Sequence, residues 1–270
     1  MSKILEVGIL GGDGRMGQEI IRALHANPNA RLAAALTAPS SPNIDTDAAK
    51  LAGLQASGVM LTSDTKAALD ACDVMIDFSQ PRAAIDTALA MHGTRCQTFV
   101  TGTTGYTDVE EAALMAAADT ITLLKSGNFS LGVNLLEALT EQAARALGKG
   151  WDIEVLEMHH RHKVDAPSGT ALMLGKAAAK GRGVDLADVQ VPAREGRGDP
   201  RAEGEIGFAA LRGGGVIGAH ELRIASELEM ITLSHDAFDR SVFATGAVTA
   251  ALWAEAQPKG FYTMRDVLGL

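Results

Sequence analysis

Cysteine and aromatic residues are scarce in this sequence. Only Cys72 and Cys96 occur among its 270 residues, and the aromatic residues make up 4%. Two cysteines without a CxxC spacing are too few for a disulfide framework, which fits a reducing compartment. The sequence also lacks an apolar run long enough to cross a bilayer and a signal-peptide layout at its N-terminus. A cytoplasmic protein is therefore expected.

Positive charge is scarce as well, since the formal net charge is −9 at pH 7. Phosphate groups repel such a chain, so neither a nucleic acid nor a membrane is expected as a partner. With 47% hydrophobic and 21% charged residues, the composition is that of an ordinary globular protein. The 270 residues suffice for one large domain or two modest ones.

The apolar pattern changes near residue 130. Before it, short β-branched segments alternate with alanine-rich segments, which predicts a parallel sheet covered by helices on both faces. The predicted strands are 7–10, 31–36, 74–78, 98–101 and 121–125, and the predicted helices are 18–25, 81–91 and 109–118. After it, helices are expected at 131–147, 170–180 and 241–256. A strand is expected at 153–158, and antiparallel strands at 206–211, 216–224 and 228–234.

These patterns predict an α/β protein with two domains. Residues 1–129, completed by 241–270, form the first, and residues 130–240 form an α+β domain with a mixed, largely antiparallel sheet. The segment 194–204 is rich in glycine and charge, which is typical of an exposed connecting loop, with a mobile lid as the alternative.

A glycine-rich loop, Gly11-Gly12-Asp13-Gly14-Arg15-Met16-Gly17, follows the first predicted strand and opens a helix. Gly12, Gly14 and Gly17 satisfy the spacing G-x-G-x-x-G. Glycines in such a loop let the backbone and the helix N-terminus approach a pyrophosphate, which indicates a Rossmann-type dinucleotide-binding domain. A plain glycine-rich turn is the alternative.

The residues that read the cofactor's riboses are less distinct. The end of the second strand, 36–41, offers hydroxyl groups but neither an acid nor a base, so the choice between NADH and NADPH stays open. Arg15 could supply a charge for a phosphate. Two later strand ends, Gly102-Thr103-Thr104-Gly105 and Ser126-Gly127-Asn128-Phe129, could hold a nicotinamide ring and its ribose. By composition alone they could equally be ordinary turns.

A basic run at 159–163 carries three of the chain's seven histidines beside Arg161 and Lys163. Clustered cations are costly to bury unless an anion offsets them, and Ser168-Gly169-Thr170 opens a helix whose free N–H groups attract anions. The pattern indicates a pocket for a small carboxylate-bearing molecule. A solvated basic turn is the main alternative. A metal site is disfavoured because adjacent cations oppose it and the spacing matches no zinc pattern.

Two members of the run, His159 and Lys163, can serve one small substrate only if the chain curls. On an extended strand the two residues would lie roughly 13 Å apart. In a helical or tight turn they would lie roughly 5–6 Å apart on one face. The chain must therefore leave its strand near Met158 if the pair does chemistry.

Taken in this order, the motifs closely resemble the 4-hydroxy-tetrahydrodipicolinate reductase family, formerly called dihydrodipicolinate reductases. The resemblance covers about residues 7–270, and its most specific part is His-His-Arg-His-Lys-x-Asp-x-Pro-Ser-Gly-Thr-Ala. It includes Arg194-Glu195-Gly196, Ile206-Gly207-Phe208 and Met264-Arg265-Asp266-Val267-Leu268.

This resemblance implies a role for each motif. His159 would be the proton donor or acceptor and Lys163 the second proton donor, while His160, Gly169 and Thr170 would bind the substrate's carboxylates. The implied cofactor-binding residues are Gly11, Gly12, Asp13, Gly14, Arg15, Met16, Thr37, Gly102, Thr103, Thr104, Ser126, Gly127, Asn128 and Phe129.

The resemblance also implies a reaction and an assembly. NADH or NADPH would reduce a cyclic imine dicarboxylate, with loss of water, to tetrahydrodipicolinate in the diaminopimelate–lysine pathway. Family members are usually homotetramers built through the second domain. This chain departs from the family where Thr37-Ala38 replaces a charged pair and where Ser126-Gly127 replaces Ala-Pro. Another Rossmann imine or amino-acid dehydrogenase and a non-catalytic nucleotide-sensing protein are the alternative functions.

Overall fold

The structure is a computed structural model that describes residues 3–270. The chain divides into two compact units, residues 3–130 together with Ser241–Leu270, and Leu131–Arg240. Within the described range, no helix combines the length and the apolar character needed to span a membrane.

The first unit alternates strands and helices, as predicted. Its N-terminal part contains β1 (Leu5–Leu10), α1 (Arg15–His25), β2 (Ala30–Leu36), α2 (Ala48–Leu51), β3 (Leu61–Thr62), α3 (Thr65–Ala71), β4 (Val74–Asp77), α4 (Pro81–Ala90), β5 (Thr98–Thr101), α5 (Asp108–Ala116) and β6 (Thr122–Lys125). The second unit contains α6 (Leu131–Leu147), β7 (Asp152–His159), α7 (Gly169–Gly181), α8 (Leu186–Val189), β8 (Gln190–Val191), β9 (Ile206–Arg212), β10 (Gly218–Ala225) and β11 (Met230–Ala237). The chain then returns to the first unit with α9 (Ser241–Ala254), β12 (Gly260–Tyr262) and α10 (Met264–Leu268).

The sheet of the first unit is parallel, which confirms the prediction. Its strand order within the described residues is β12-β6-β5-β4-β1-β2-β3, and all its pairings are parallel. From β1 the chain adds β2 and β3 on one side of β1, and then returns to add β4, β5 and β6 on the other side. The switch point of the sheet therefore lies between β1 and β4. In open sheets of this type, ligands bind in the crevice outside the carboxyl ends of the strands at this switch point. The glycine-rich loop follows β1 and therefore lies there.

The sheet of the second unit is mixed, with the order β11-β10-β7-β9-β8 in the described residues. β10 is antiparallel to β7 and β11, whereas β9 is parallel to β7 and β8. The expected mixed sheet is confirmed, but the antiparallel direction predicted for 206–211 is wrong. The chain crosses over through α7 and α8 before it enters β9, and a crossover of this length brings a strand back in the same direction.

Strand β7 alternates between buried and more exposed side chains. Ile153, Val155, Glu157 and His159 all lie on its buried face, and the first two belong to the core of the second unit. Successive side chains point to opposite faces of a sheet, so Glu157 and His159 continue an apolar row into a polar end. The strand thereby places an acid and an imidazole where water is largely excluded.

The segment 194–204 contains no helix or strand and is mostly exposed. Its Arg194 and Arg201 both form ion pairs with Glu154 on β7. Arg201 also donates a hydrogen bond to the backbone oxygen of Ile153 at 3.0 Å. These contacts fit an exposed connecting loop that is anchored to the sheet, and the lid stays a hypothesis.

Candidate active site

The glycine-rich loop makes a tight turn against the neighbouring strand. The N–H groups of Gly11 and Gly12 both donate to the Leu36 oxygen, at 3.0 and 2.8 Å. Gly11 has a φ of +83°, and a Cβ on Gly17 would lie 2.2 Å from the Gly11 oxygen. Gly14 caps α1 without a side-chain hydrogen bond. The first N–H groups of the helix therefore have no side-chain cap, and this arrangement fits a pyrophosphate.

Phe78, directly after β4, holds the strand-end loops of the first unit together. A Cβ on Gly102 would lie 2.3 Å from the Phe78 ring, and the Phe78 and Phe129 ring centroids are 5.5 Å apart. A Cβ on Gly11 would lie 3.2 Å from the Phe78 oxygen. The loops after β1, β4, β5 and β6 thus meet at one edge, as the sequence predicted for three of them. No sequence motif indicated a role for Phe78 itself.

Asp77, the last residue of β4, is a fully buried carboxyl group beneath these loops. Its Oδ1 accepts from the Ser79 N–H at 2.9 Å and from the Ser79 hydroxyl at 2.5 Å. Its Oδ2 accepts from the hydroxyls of Thr101 at 2.6 Å and Thr103 at 2.8 Å. Burial raises the pKa of Asp77, although the hydroxyl groups oppose it. All these donors are neutral.

Three of the remaining predicted cofactor residues line a small polar cavity at the same sheet edge. Thr103, Thr104 and Gly127 line one cavity together with Lys125. The Ser126 hydroxyl donates to the Asn128 oxygen at 2.6 Å, which closes the loop after β6. Thr37 is buried at the end of β2.

The second unit contains the basic run, and the chain turns where the sequence predicted. β7 ends at His159, and the Lys163 N–H donates to the His160 oxygen at 3.1 Å, which closes a tight turn. The Lys163 ammonium group lies 2.8 Å from the Asp165 carboxylate. The lysine side chain is 20% exposed, so a charged donor lies at the surface next to the end of β7.

Glu157 connects the parts of this site. Its Oε2 lies 2.6 Å from His159 Nδ1. Arg212, at the end of β9, donates to both carboxylate oxygens at 2.7 and 2.8 Å. The Ser168 N–H donates to Oε1 at 3.0 Å. One buried carboxylate therefore binds the predicted proton donor, a guanidinium group and the residue that caps α7.

The charges in this cluster determine which nitrogen of His159 carries a proton. Burial raises the pKa of Glu157, but the hydrogen bonds from Arg212 and His159 outweigh it and leave the pKa below its ordinary value. An ionised Glu157 only accepts, so His159 Nδ1 donates to it. Nε2 is then the free nitrogen. A Cβ on Gly218 would lie 3.2 Å from this Nε2, so a larger residue at this position would crowd it.

Ser168 and His220 complete the buried polar cluster. The Ser168 hydroxyl accepts from the Ala171 N–H at 3.1 Å and lies 2.9 Å from His220 Nε2. The rings of His220 and His159 pack edge to face with centroids 5.1 Å apart. Burial, and next the charge of His159, lower the pKa of His220 to about 4. His220 is therefore neutral at pH 7 and adds no repulsion next to His159.

The helix start predicted to bind carboxylates lies directly beside this cluster. α7 begins at Gly169, one residue before the predicted start. A Cβ on Gly169 would meet no atom within 4 Å. Because the cap, Ser168, also binds Glu157, the N-terminus of α7 and the His159 ring are held by the same carboxylate.

The other members of the basic run lie outside the buried cluster. Arg161 and His162 are exposed. His160 Nε2 lies 3.3 Å from an Arg240 guanidinium nitrogen, and burial together with the charge of Arg240 lowers the pKa of His160. Among residues 3–270, no group of three His, Cys, Asp or Glu side chains converges as metal ligands would. For Arg161 and His162, the alternative of a solvated basic turn describes the structure well.

Two family models match this chain over nearly its whole length. The N-terminal model of dihydrodipicolinate reductase matches residues 5–129, and the C-terminal model matches residues 132–268. Among solved structures, a dipicolinate-bound dihydrodipicolinate reductase from Paenisporosarcina sp. TG-14 is 24% identical with a TM-score of 0.76 and covers 96% of this chain and 97% of its own. An amine dehydrogenase from Mycobacterium smegmatis, 14% identical with a TM-score of 0.62, covers 96% of this chain and 95% of its own. These two structures show the shared fold.

Curated relatives are much more similar in sequence. The 4-hydroxy-tetrahydrodipicolinate reductase of Sinorhizobium medicae is 54% identical over 263 residues, which cover 97% of this chain and 96% of the relative. That of Sinorhizobium fredii is 54% identical over 267 residues and covers 98% of both chains. The resemblance inferred from the motifs is confirmed. The chain belongs to the dihydrodipicolinate reductase family, whose curated relatives are named 4-hydroxy-tetrahydrodipicolinate reductases.

Proposed function

We propose that this chain reduces 4-hydroxy-tetrahydrodipicolinate to tetrahydrodipicolinate, with loss of water, in the diaminopimelate–lysine pathway. The bond between Glu157 and His159 is the observation that carries the proposal, because it gives a buried imidazole a defined proton-bearing nitrogen. Reduction of a conjugated imine needs such a proton source at the moment hydride arrives. The relatives' names supply the substrate.

His159 acts as the acid through Nε2. Its Nδ1–H donates a hydrogen bond to the Glu157 carboxylate, which stabilises the imidazolium form and holds the ring in position. Lys163 is the second proton donor. Its ammonium group is held by Asp165 at 2.8 Å and must exchange that contact for the substrate.

The two carboxylates of the substrate are bound by His160 and by the start of α7. Gly169 and Thr170 offer backbone N–H groups of the first helical turn, and the positive end of the helix favours an anion. Because Ser168 ties this helix start to Glu157, substrate binding and proton donation share one rigid support.

NADH or NADPH supplies the hydride when bound. The residues of the first unit fit a dinucleotide, because the glycines of the loop allow a tight turn beside the start of α1, and α1 begins without a side-chain cap. The loops at 102–104 and 126–129 would surround the nicotinamide ribose, and Thr37 lies at the adenosine end. Asp77 positions Thr103 by accepting its hydroxyl hydrogen.

A cytoplasmic homotetramer built through the second unit completes the proposal. The edge strand β11 supports it, because Met230 and Ile231 on this strand are 55% and 39% exposed. Exposed apolar residues on an edge strand favour pairing with another copy. Sedimentation equilibrium at micromolar concentration checks the assembly, and a monomeric mass contradicts it.

The function is tested by the loss of NADH or NADPH absorbance with substrate made in situ from pyruvate and aspartate semialdehyde by the preceding synthase. We expect turnover that requires this chain, the nicotinamide cofactor and the substrate together. Oxidation no faster than without the enzyme contradicts the proposal. Turnover of acyclic oxo-acids with ammonia instead supports an amino-acid dehydrogenase, and cofactor binding without any turnover supports a nucleotide-sensing protein.

A further inference from the structure

The adenosine end of the predicted cofactor site contains a carboxylate that comes from an unexpected part of the chain. The loop after β2, residues 37–43, carries no ionisable side chain. Asp13, in the glycine-rich loop, reaches it and accepts a hydrogen bond from the Ser41 hydroxyl at 2.6 Å. The Asn43 N–H in turn donates to that hydroxyl at 3.1 Å. The acid is therefore fixed between the loops that follow β1 and β2.

This carboxylate is ionised at neutral pH. Burial raises the pKa of Asp13, but the hydrogen bond from Ser41, and next the nearby hydroxyl of Thr37, leave it below the ordinary value. In residues 3–270, no Lys, Arg or His nitrogen forms an ion pair with Asp13. Arg15, the only cation of the glycine-rich loop, is exposed and has no ion pair in the same range. The negative charge at this position is thus not neutralised.

A second polar atom lies at the same strand end. Thr37 is 7% exposed, and although it lies close enough to influence the pKa of Asp13, its Oγ1 makes no hydrogen bond of standard geometry within the described residues. A buried hydroxyl without a partner is costly unless a ligand supplies one. A ribose hydroxyl is a partner of the right kind for both Thr37 and Asp13.

We propose that Asp13 reads the 2′ position of the adenosine ribose and makes this chain prefer NADH to NADPH. In dinucleotide-binding domains, an acid beyond the second strand accepts a hydrogen bond from the 2′-hydroxyl, whereas an arginine accommodates a 2′-phosphate. Here Asp13 supplies the acid from the first loop, and Ser41 holds it at the end of the second strand. A 2′-phosphate monoester carries about −1.5 to −2 charges at pH 7 and is repelled there.

This inference rests on the proposed function only for the identity of the cofactor, and equilibrium binding tests it without turnover. Isothermal titration calorimetry of the full chain with NADH and with NADPH gives the two dissociation constants. We expect NADH to bind at least about tenfold more tightly, which corresponds to about 1.4 kcal/mol. Raising the salt concentration should reduce this ratio, because the repulsion is electrostatic.

Two substitutions separate the charge of Asp13 from its tether. Asp13→Asn keeps the size and an oxygen for Ser41, so NADPH should bind at least about fivefold more tightly while NADH changes by less than about threefold. Ser41→Ala keeps the negative charge of Asp13 but removes the hydrogen bond that fixes its position. The ratio of the NADPH to the NADH dissociation constant should therefore fall, but less than in Asp13→Asn. Asp119→Asn is the matched control, because Asp119 is an exposed acid before β6, at the opposite edge of the sheet. It should leave both constants unchanged.

The outcomes distinguish this inference from the function on which it rests. Equal or tighter binding of NADPH by the wild-type chain overturns the role of Asp13, as does an Asp13→Asn variant that matches Asp119→Asn. In either case, turnover with the cyclic imine leaves the reductase function standing. Failure of both cofactors to bind refutes both proposals.

Discussion

Each unit contains one buried carboxyl group that organises its site, and the two are satisfied in opposite ways. Asp77 is bound only by hydroxyl groups and an N–H group, and burial raises its pKa. Glu157 is bound by a guanidinium group, an imidazole and an N–H group, and its pKa lies below the ordinary value. Neutral donors suffice to hold loops in place. A permanent negative charge next to His159 requires a cationic partner, and Arg212 provides it.

This difference fits the separate tasks that we propose for the two units. Under the proposed function, the loops above Asp77 present backbone and hydroxyl groups to a cofactor, and neutral donors around Asp77 suffice to hold these loops. The second unit, under the same proposal, stabilises an imidazolium ion during proton transfer. A carboxylate kept ionised by Arg212 does this without taking the proton itself.

The largest effect is expected from removing the two proposed proton donors of the second unit. His159→Ala and Lys163→Ala should each lower kcat by roughly 100- to 10,000-fold, because each removes one general acid or base. Cofactor dissociation constants should stay nearly unchanged, since the proposed cofactor-binding residues belong to the other unit. His162→Ala, an exposed neighbour in the same run, is the control and should retain wild-type turnover. Wild-type turnover in both other variants would falsify the assigned roles.

Removing the cation beside Glu157 should have the next largest effect. Arg212→Met withdraws two of the hydrogen bonds that keep the carboxylate ionised, so the pKa of Glu157 should rise. We expect kcat to fall by about 10- to 100-fold, and the acidic limb of the pH–rate profile to move to higher pH. Arg212→Lys should restore part of the loss. A purely structural role of Arg212 predicts a lower rate with an unshifted profile.

The matched substitution in the first unit should affect binding instead of chemistry. Asp77→Asn cannot accept on both sides from the surrounding hydroxyl groups, so Thr103 and Ser79 lose part of their positioning. The dissociation constant for NADH should rise by about three- to tenfold, on the scale of one or two lost hydrogen bonds. kcat at saturating cofactor should change little. A loss of kcat as large as that of the Arg212 variant contradicts the comparison.

The smallest effect concerns stability at acidic pH. As the pH rises, the contribution of Asp77 to the free energy of unfolding should fall, whereas that of Glu157 should increase. The pKa of Asp77 is raised above 3.8, so its contribution to stability is present below that value and is lost as the pH rises through the raised pKa. The pKa of Glu157 is lowered below 4.5, so its contribution is present above that value and is lost as the pH falls through the lowered pKa.

Amide hydrogen exchange of β4 and β7 between about pH 3 and pH 6 measures these contributions separately. Relative to the wild type, Asp77→Asn should become more stable as the pH rises, and Glu157→Gln less stable. Each pKa unit of difference corresponds to about 1.4 kcal/mol. If the stability of both variants relative to the wild type changes in the same direction with pH, the pKa values of Asp77 and Glu157 are not shifted in opposite directions.

Much of the fold could be predicted from the sequence, because its signals are local. Every helix and strand that periodicity indicated is present, with ends that differ by at most three residues. The glycine-rich loop and the turn after His159 also follow from adjacent residues. The direction of β9 could not be predicted, because alternation of buried and exposed residues is the same in parallel and antiparallel strands.

The hydrogen bonds that connect the residues of the site were harder to predict from the sequence. Arg212 is 55 residues from Glu157 in sequence and reaches it because β9 pairs with β7 in a register that aligns Arg212 with His159. No local pattern contains that register. One signal was available, since Glu157 and His159 share the face of β7 that begins with Ile153 and Val155. An acid and a histidine two positions apart on a buried strand face indicate a hydrogen-bonded pair.

The turnover of Glu157→Gln at saturating substrate and cofactor tests most directly whether Glu157 holds His159 as the proton donor. Glutamine has nearly the same size, but its amide group can donate to Nδ1 and favour the wrong tautomer. We predict that kcat falls by roughly 100-fold or more while the NADH dissociation constant stays within about twofold of the wild type. Wild-type kcat in this variant would contradict the role of Glu157 and the proton pathway built on it.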